Sequence, residues 1–274
     1  MTNRAFRFGV VGSATRGAED WKQTVRRAAG LGYSTVLMPD GLQLLSPFPT
    51  LAVAAMAADV RVGTFVAAAP LRPPRSAAWD AHTLSVLTDG RFDFGIGTAR
   101  PQAEQQVNEV GLPWGSAKER RDQVTETLDQ LAKLDGDQHT PVLMAASGPR
   151  MLALAAARAD VVSLAKPASA PREEFTQTAQ ELRELAGARA DDIELAMNLF
   201  AAGTTELPAW SKQATGMEPE VLEKSGTLML LRGTPQEMAD ELQRRRDEFG
   251  ASYITINTDY LDDLAPVVEL LDGK

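Results

Sequence analysis

Residues 141–159 read PVLMAASGPRMLALAAARA. Val142 to Met144 is an apolar run too short for a helix, which predicts a buried strand. Ser147 sits where an N-cap belongs, and Pro149 falls in the first turn of a helix, where its missing N–H costs nothing. From Met151 onward, Leu152, Leu154, Ala155 and Ala156 give a helix-forming run. Ala145, Ala146, Ser147 and Gly148 put almost no side chain over the helix entrance. Free N–H groups and the positive end of the helix dipole would then face an anion, and Arg150 could add a charge-assisted contact. A plain strand-to-helix turn with small residues for close packing fits the same letters. On either reading the unit is strand, tight turn, helix.

The same unit recurs along the whole chain. Strands are predicted over 6–11, 35–38, 60–67, 92–96, 160–164, 193–200 and 252–256. Helices are predicted over 19–31, 50–58, 73–87, 118–134, 175–186, 234–249 and 261–271. Val124, Leu128, Leu131 and Leu134 form the apolar stripe of the fourth helix. The strands are short and lack polar/apolar alternation, the signature of parallel strands covered on both faces. Eight such repeats predict a closed (β/α)8 barrel of the TIM type, one domain over 1–274; an open doubly wound sheet usually has fewer units. Only 201–231, between strand seven and its helix, breaks the rhythm. It contains Pro208, Trp210, Met217 and a short helical piece at 219–224, and reads either as a lid over the site or as a structural cap on the barrel rim.

Composition narrows the chemistry. The chain has 274 residues, 44% hydrophobic and 24% charged, with a net charge of −9. That balance argues against nucleic acid or an anionic membrane as partner, and requires any anionic ligand to be met by a local cluster of arginines and N–H groups. The absence of cysteine excludes disulfides and thiolate sites. With only His82 and His139, a histidine-based metal site is not expected. No leader or membrane-length apolar run is apparent, so a cytoplasmic location is expected.

In such a barrel the site lies at the C-terminal strand ends. Those ends carry Gly12, Ser13, Asp40, Gly41, Phe65, Val66, Gly97, Thr98, Ala146, Ser147, Gly148, Lys166 and Asn257. Only Asp40 and Lys166 are titratable, and neither carboxylate pairs nor clustered histidines are present for hydrolytic or metal chemistry. A mouth of small residues suits a large flat ligand that brings its own chemistry. On the bland reading Asp40 is a rim or capping residue and Lys166 is solvated.

Four segments, taken together, resemble the bacterial luciferase-like monooxygenase superfamily, in particular its coenzyme F420-dependent oxidoreductase branch. They are LGYSTVLMPD (31–40), VRVGTFVAAAPLRPPRSAAWDAHTLSVLTDGRFDFGIGTA (60–99), PVLMAASGPRMLALAAARADVV (141–162) and RGTPQEMADELQRRRDEFGASYITI (232–256). The run at 87–97 is the most specific, and SPFP at 46–49 is similar to one subgroup of the branch.

The resemblance implies a luciferase-like barrel with a flavin or deazaflavin across its mouth. The phosphate would sit on Ser147, Gly148 and neighbouring amides of Ala146 and Arg150, with Thr98 nearby. A bulge in strand three near Phe65 and Val66, often with a non-prolyl cis peptide, would support the ring from behind. Asp40 matches an acidic position at the cofactor edge and is the candidate catalytic residue.

Two features depart from the branch: Gly41 stands where those enzymes typically have a proton-exchanging histidine, and 135–140 is short where relatives carry a longer excursion. His82, on a helix, is not placed to substitute. The expected activity is hydride transfer between F420 and a small organic substrate. An FMN-dependent monooxygenase and a non-catalytic flavin-binding barrel are the alternatives, and a cofactor-free lyase or isomerase is a remoter one. Arg72, Arg75 and Arg100 are candidates to meet the acidic tail of F420. Family resemblance also implies a homodimer through helices near the start of the barrel.

Overall fold

The computed structural model describes residues 4–207 and 210–274. Eight parallel strands form the barrel: β1 Arg7–Val11, β2 Thr35–Met38, β3 Arg61–Thr64, β4 Phe92–Gly97, β5 Val142–Ala146, β6 Val161–Leu164, β7 Glu194–Leu199 and β8 Ala251–Asn257. Each pairs in parallel with the next. The ring closes through β8 on β1, with Arg7 opposite Tyr253 and Val11 opposite Asn257. The outer helices are α1 Ala18–Gly30, α2 Pro47–Ala57, α3 Pro74–Leu87, α4 Ala117–Asp135, α5 Pro149–Arg158, α6 Arg172–Ala186, α7 Pro235–Phe249 and α8 Leu261–Leu271. The closed barrel expected from the eight repeats is therefore present.

Local chemistry sets the helix ends. Ser116 and Glu119 close a capping box at the start of α4, and Thr234 and Glu237 do the same for α7; each satisfies two orphan backbone donors. Three differences from expectation bear on the mouth of the barrel. Helix α2 starts at Pro47 rather than 50, because a proline in the first turn needs no N–H partner. The N-cap of α5 is Gly148, not Ser147. The predicted strand over 60–67 is broken: β3 stops at Thr64, the Phe65–Val66 peptide is cis, and Ala67–Ala68 then resumes pairing with β4. This is the strand-three irregularity that the family resemblance implied.

Glycines of β4 make room for that break. A Cβ on Gly95 would lie 1.8 Å from the Thr64 carbonyl oxygen, and one on Gly97 would lie 3.0 Å from Val66 Cγ2. Only a residue without a side chain permits so close a backbone approach.

Alternate residues divide the strands between two cores. Phe8, Val10, Val36, Phe94, Met144, Val162, Met197 and Ile254 pack outward against the helices. Leu37, Leu143, Val161, Ala196 and Tyr253 fill the barrel interior, with Val11, Phe65 and Val66 above them. The floor is ionic. Arg7 Nη2 lies 2.6 Å from Glu194, Arg61 Nη2 lies 2.5 Å from Asp93, and the Arg7 guanidinium sits 3.5 Å from the Tyr253 ring centre. This layer closes the end of the barrel opposite the site, the face where residues serve stability.

The segment after β7 returns to its own base. Ala201–Ala202 pairs in parallel with Leu230–Leu231. The Arg232 guanidinium donates to the Ala202, Gly203 and Thr205 carbonyls and pairs with Glu223. Arg245, 2% exposed, donates to the Leu228 carbonyl at 2.6 Å. Two short helices lie between, Trp210–Thr215 and Pro219–Lys224. Met217 is half-buried against the core rather than exposed; Pro208 and the Trp210 side chain fall outside the described residues.

Candidate active site

The mouth of the barrel has two kinds of wall. Strand alternation turns Val11, Gly97 and Ala145 inward on β1, β4 and β5, and Phe65 and Val66 complete an apolar, half-exposed surface beside them. On the opposite side Ser163, Asn198 and Thr255 face inward from the adjoining strands β6, β7 and β8. They lie one inward position further along than Val161, Ala196 and Tyr253. Thr255 Oγ1 donates to Asn198 Oδ1 at 2.9 Å.

The acidic candidate is fully engaged. The Asp40 side chain, 3% exposed, takes two contacts from Arg72, Nη1 to Oδ2 at 2.5 Å and Nη2 to Oδ1 at 3.0 Å. Its Oδ2 also accepts from the Ala68 N–H at 2.9 Å. Arg72 lies 5.3 Å from the Phe48 ring centre, which gives the Phe of SPFP a role in holding the pair. Asp40 thus ties the end of β2 to the chain beyond the strand-three break. Both of its oxygens are engaged, and the charge of Arg72 is neutralised at short range.

Gly41 is buried, and a Cβ there would lie 2.6 Å from Gln43 Oε1. A neutral amide thus stands beside Gly41. His82 pairs instead with Asp135 at 2.8 Å between α3 and α4, and His139 with Asp160 at 2.9 Å at the entry to β5. Neither is at the mouth.

The β5–α5 turn is open. Ser147, Gly148, Pro149 and Arg150 are exposed, and nothing lies within 4 Å of a Cβ placed on Gly148. Among the described residues the N–H groups of Ser147, Gly148, Arg150 and Met151 meet no acceptor, and Arg150 has no acidic partner. The Ala146 side chain points into the outer core, and its carbonyl accepts from Ala165 N–H at 3.1 Å; Ala145 is the residue that faces the mouth. Thr98 is half-buried with its hydroxyl unpaired, and Ala99 holds φ 62°, a left-handed conformation uncommon outside glycine.

Of the other cations, Arg100 is exposed and unpaired, Arg75 reaches Gln130 at 3.2 Å, and Lys166 lies 3.8 Å from Glu174. Lys166 is 13% exposed, so it is tucked against α6 rather than solvated. Among the described residues no group of three or more His, Asp or Glu could hold a metal ion, and no helix is long and apolar enough to cross a membrane.

A family model for luciferase-like monooxygenases matches residues 5–211, and the chain belongs to that family. Similar solved structures include the monooxygenase RslO1 from Streptomyces bottropensis, with 21% identity over 96% of this chain and 97% of that one and a TM-score of 0.69. The coenzyme F420-dependent tetrahydromethanopterin reductase from Methanopyrus kandleri has 17% identity over 97% of each chain and a TM-score of 0.72. The long-chain alkane monooxygenase LadA has 13% identity over 98% and 92% and a TM-score of 0.77. No curated protein is similar enough in sequence to match.

Asn198 and Thr255 were not among the sequence candidates. Strand seven alternates, with Leu195, Met197 and Leu199 on one face and Glu194, Ala196 and Asn198 on the other, a parity that reading the strands as lacking alternation passes over. The signal was Glu194: a carboxylate on a barrel strand must find a partner inside, and two steps of two lead from it to Asn198.

Proposed function

We propose that the chain is an oxidoreductase in which coenzyme F420 lies across the barrel mouth and exchanges a hydride with a small organic substrate. The observation that carries this reading is that, among the described residues, no histidine and no unpaired carboxylate lines the mouth, Asp40 being bound to Arg72 and Ala68. A protein with no acid or base of its own at the site must take its chemistry from a cofactor.

The residues present fit such a group. The unpaired N–H groups of Ser147, Gly148, Arg150 and Met151 would hold its phosphate, with the Thr98 hydroxyl beside them. Phe65 and Val66 would back the ring and keep water from that face. Arg100 and Arg150, both unpaired, remain for an acidic tail. The deazaflavin, when bound, supplies hydride acceptor and donor chemistry; the chain binds it, orients it and shields it. Asp40 acts as a positioning residue, fixing the rim where the ring edge would rest.

One observation favours a second reading. Arg72 is neutralised by Asp40, which leaves fewer cations for an anionic tail and suits FMN, which has none. Neighbouring folds are found in both F420 and flavin enzymes. Fluorescence titration of the purified protein with F420 and, separately, FMN separates them. Tighter saturable binding of F420, followed by its reduction with an alcohol panel, supports hydride transfer. FMN binding with oxygen-dependent product formation would replace it by monooxygenation, and tight binding without turnover would assign a cofactor-holding protein. Met56 and Trp79, 83% and 66% exposed on α2 and α3, further support pairing of two copies through that face.

A further inference from the structure

We infer that Asn198 is a specificity-determining residue: its amide N–H, aimed by Thr255, donates to a carbonyl oxygen of the ligand in the barrel mouth. This rests on the cofactor-binding reading above and names what the polar wall of that site recognises. Asn198 faces inward because Ala196 and Glu194, two and four residues earlier on β7, both do. It is half-exposed, whereas its partner Thr255 is fully buried. The Thr255 hydroxyl donates to Asn198 Oδ1, which fixes the amide with its nitrogen turned away from the contact. That nitrogen has no acceptor among the described residues.

The surroundings define what the nitrogen can recognise. Among the described residues no charged side chain faces inward at its layer of the barrel; the ionic floor lies two inward positions lower, at Arg7, Asp93 and Glu194. Across the mouth stand Phe65 and Val66. An anion would lose its hydration there without gaining a counter-charge, so the fitting acceptor is neutral and sits on a flat, mostly apolar body. A carbonyl oxygen meets this description, and it can come from the ring edge of the cofactor or from the organic substrate.

The experiment uses the full-length protein as wild type, Asn198→Asp, Asn198→Ala, Thr255→Val and Thr255→Ser. Cofactor dissociation constants are read by F420 and FMN fluorescence, the effect of added cyclohexanone on the bound cofactor's spectrum is titrated, and Tm is recorded for each variant. A rise of about tenfold or more in cofactor dissociation constant for Asn198→Asp and Asn198→Ala, with Thr255→Val intermediate and Thr255→Ser near wild type, supports the inference and assigns the carbonyl to the cofactor. Unchanged cofactor binding with loss of the ketone response supports it and assigns the carbonyl to substrate. Saturable wild-type binding with neither readout altered in the Asn198 variants overturns it. Changes that follow Tm alone, without rescue by Thr255→Ser, reveal a structural role and overturn it too. Absence of wild-type binding overturns the cofactor reading itself, and the inference with it.

Discussion

At the residue scale, the rim of the site is held by contacts that leave little free chemistry. Asp40 binds Arg72 through both oxygens and Ala68 through its N–H, so replacing it leaves a largely buried guanidinium without its counter-charge. Asp40→Asn is expected to cost about 2 kcal/mol, less than a fully buried pair because Arg72 keeps some solvent contact; chemical denaturation measures it. Ala99 shows the opposite economy. Its φ of 62° costs an L-residue roughly 1–2 kcal/mol, so Ala99→Gly is expected to raise stability by about 1 kcal/mol. Thermal melting checks the sign. The engagement of Asp40 was not legible in the sequence, because a carboxylate at a strand end is compatible with capping, catalysis and ion pairing alike. Its partner Arg72 lies 32 residues away, and only the fold brings them together.

Among the elements, β4 and the broken third strand form one unit. The FDFGIG run supplies glycine wherever β4 turns toward Thr64 and Val66. Gly95→Ala places a methyl group inside the Thr64 carbonyl and is expected to destabilise by about 3 kcal/mol or more, as overpacking against rigid backbone does. Gly148→Ala, in open space with φ −91°, is expected to stay within about 0.5 kcal/mol of wild type. Comparing the two by denaturant midpoint tests whether glycine at β4 is steric and at the β5–α5 turn a matter of access.

Most elements were legible because each strand is a short apolar run and several helices end on glycine, as Gly250 at φ 87° ends α7. Helix α2 was read short because two prolines at 47 and 49 look like a loop until the first turn is seen to tolerate them. The helix Glu104–Glu109 was missed because it buries only Val107 and so carries no stripe.

For the molecule as a whole, the closed barrel sets its ionic floor and its open mouth at opposite ends. Burial pushes the Tyr253 hydroxyl well above the ordinary value near 10. Above pH 10 the unfolded chain releases this proton while the folded chain retains it, so stability falls as pH rises. Tyr33 is raised in the same direction by burial and by Asp262 and Asp263. Tyr253→Phe is expected to be nearly neutral at pH 7 and to shallow the alkaline loss, read from Tm between pH 8 and 11. At the outer surface, Trp79→Arg is expected to give a monomer by light scattering if copies pair through α2 and α3. A wild-type monomer would remove that pairing.

Gly148→Asp tests whether the open β5–α5 turn holds the phosphate of a flavin-type cofactor. The new side chain has room and adds a negative charge beside the unpaired N–H groups. Titration of wild type and variant with F420 and FMN, under matched salt and with Tm recorded, is the measurement. Saturable binding by the wild type, weakened tenfold or more by Gly148→Asp at unchanged Tm, is the expected result. Binding of equal strength in both proteins, or no binding by the wild type at high micromolar cofactor, would contradict it.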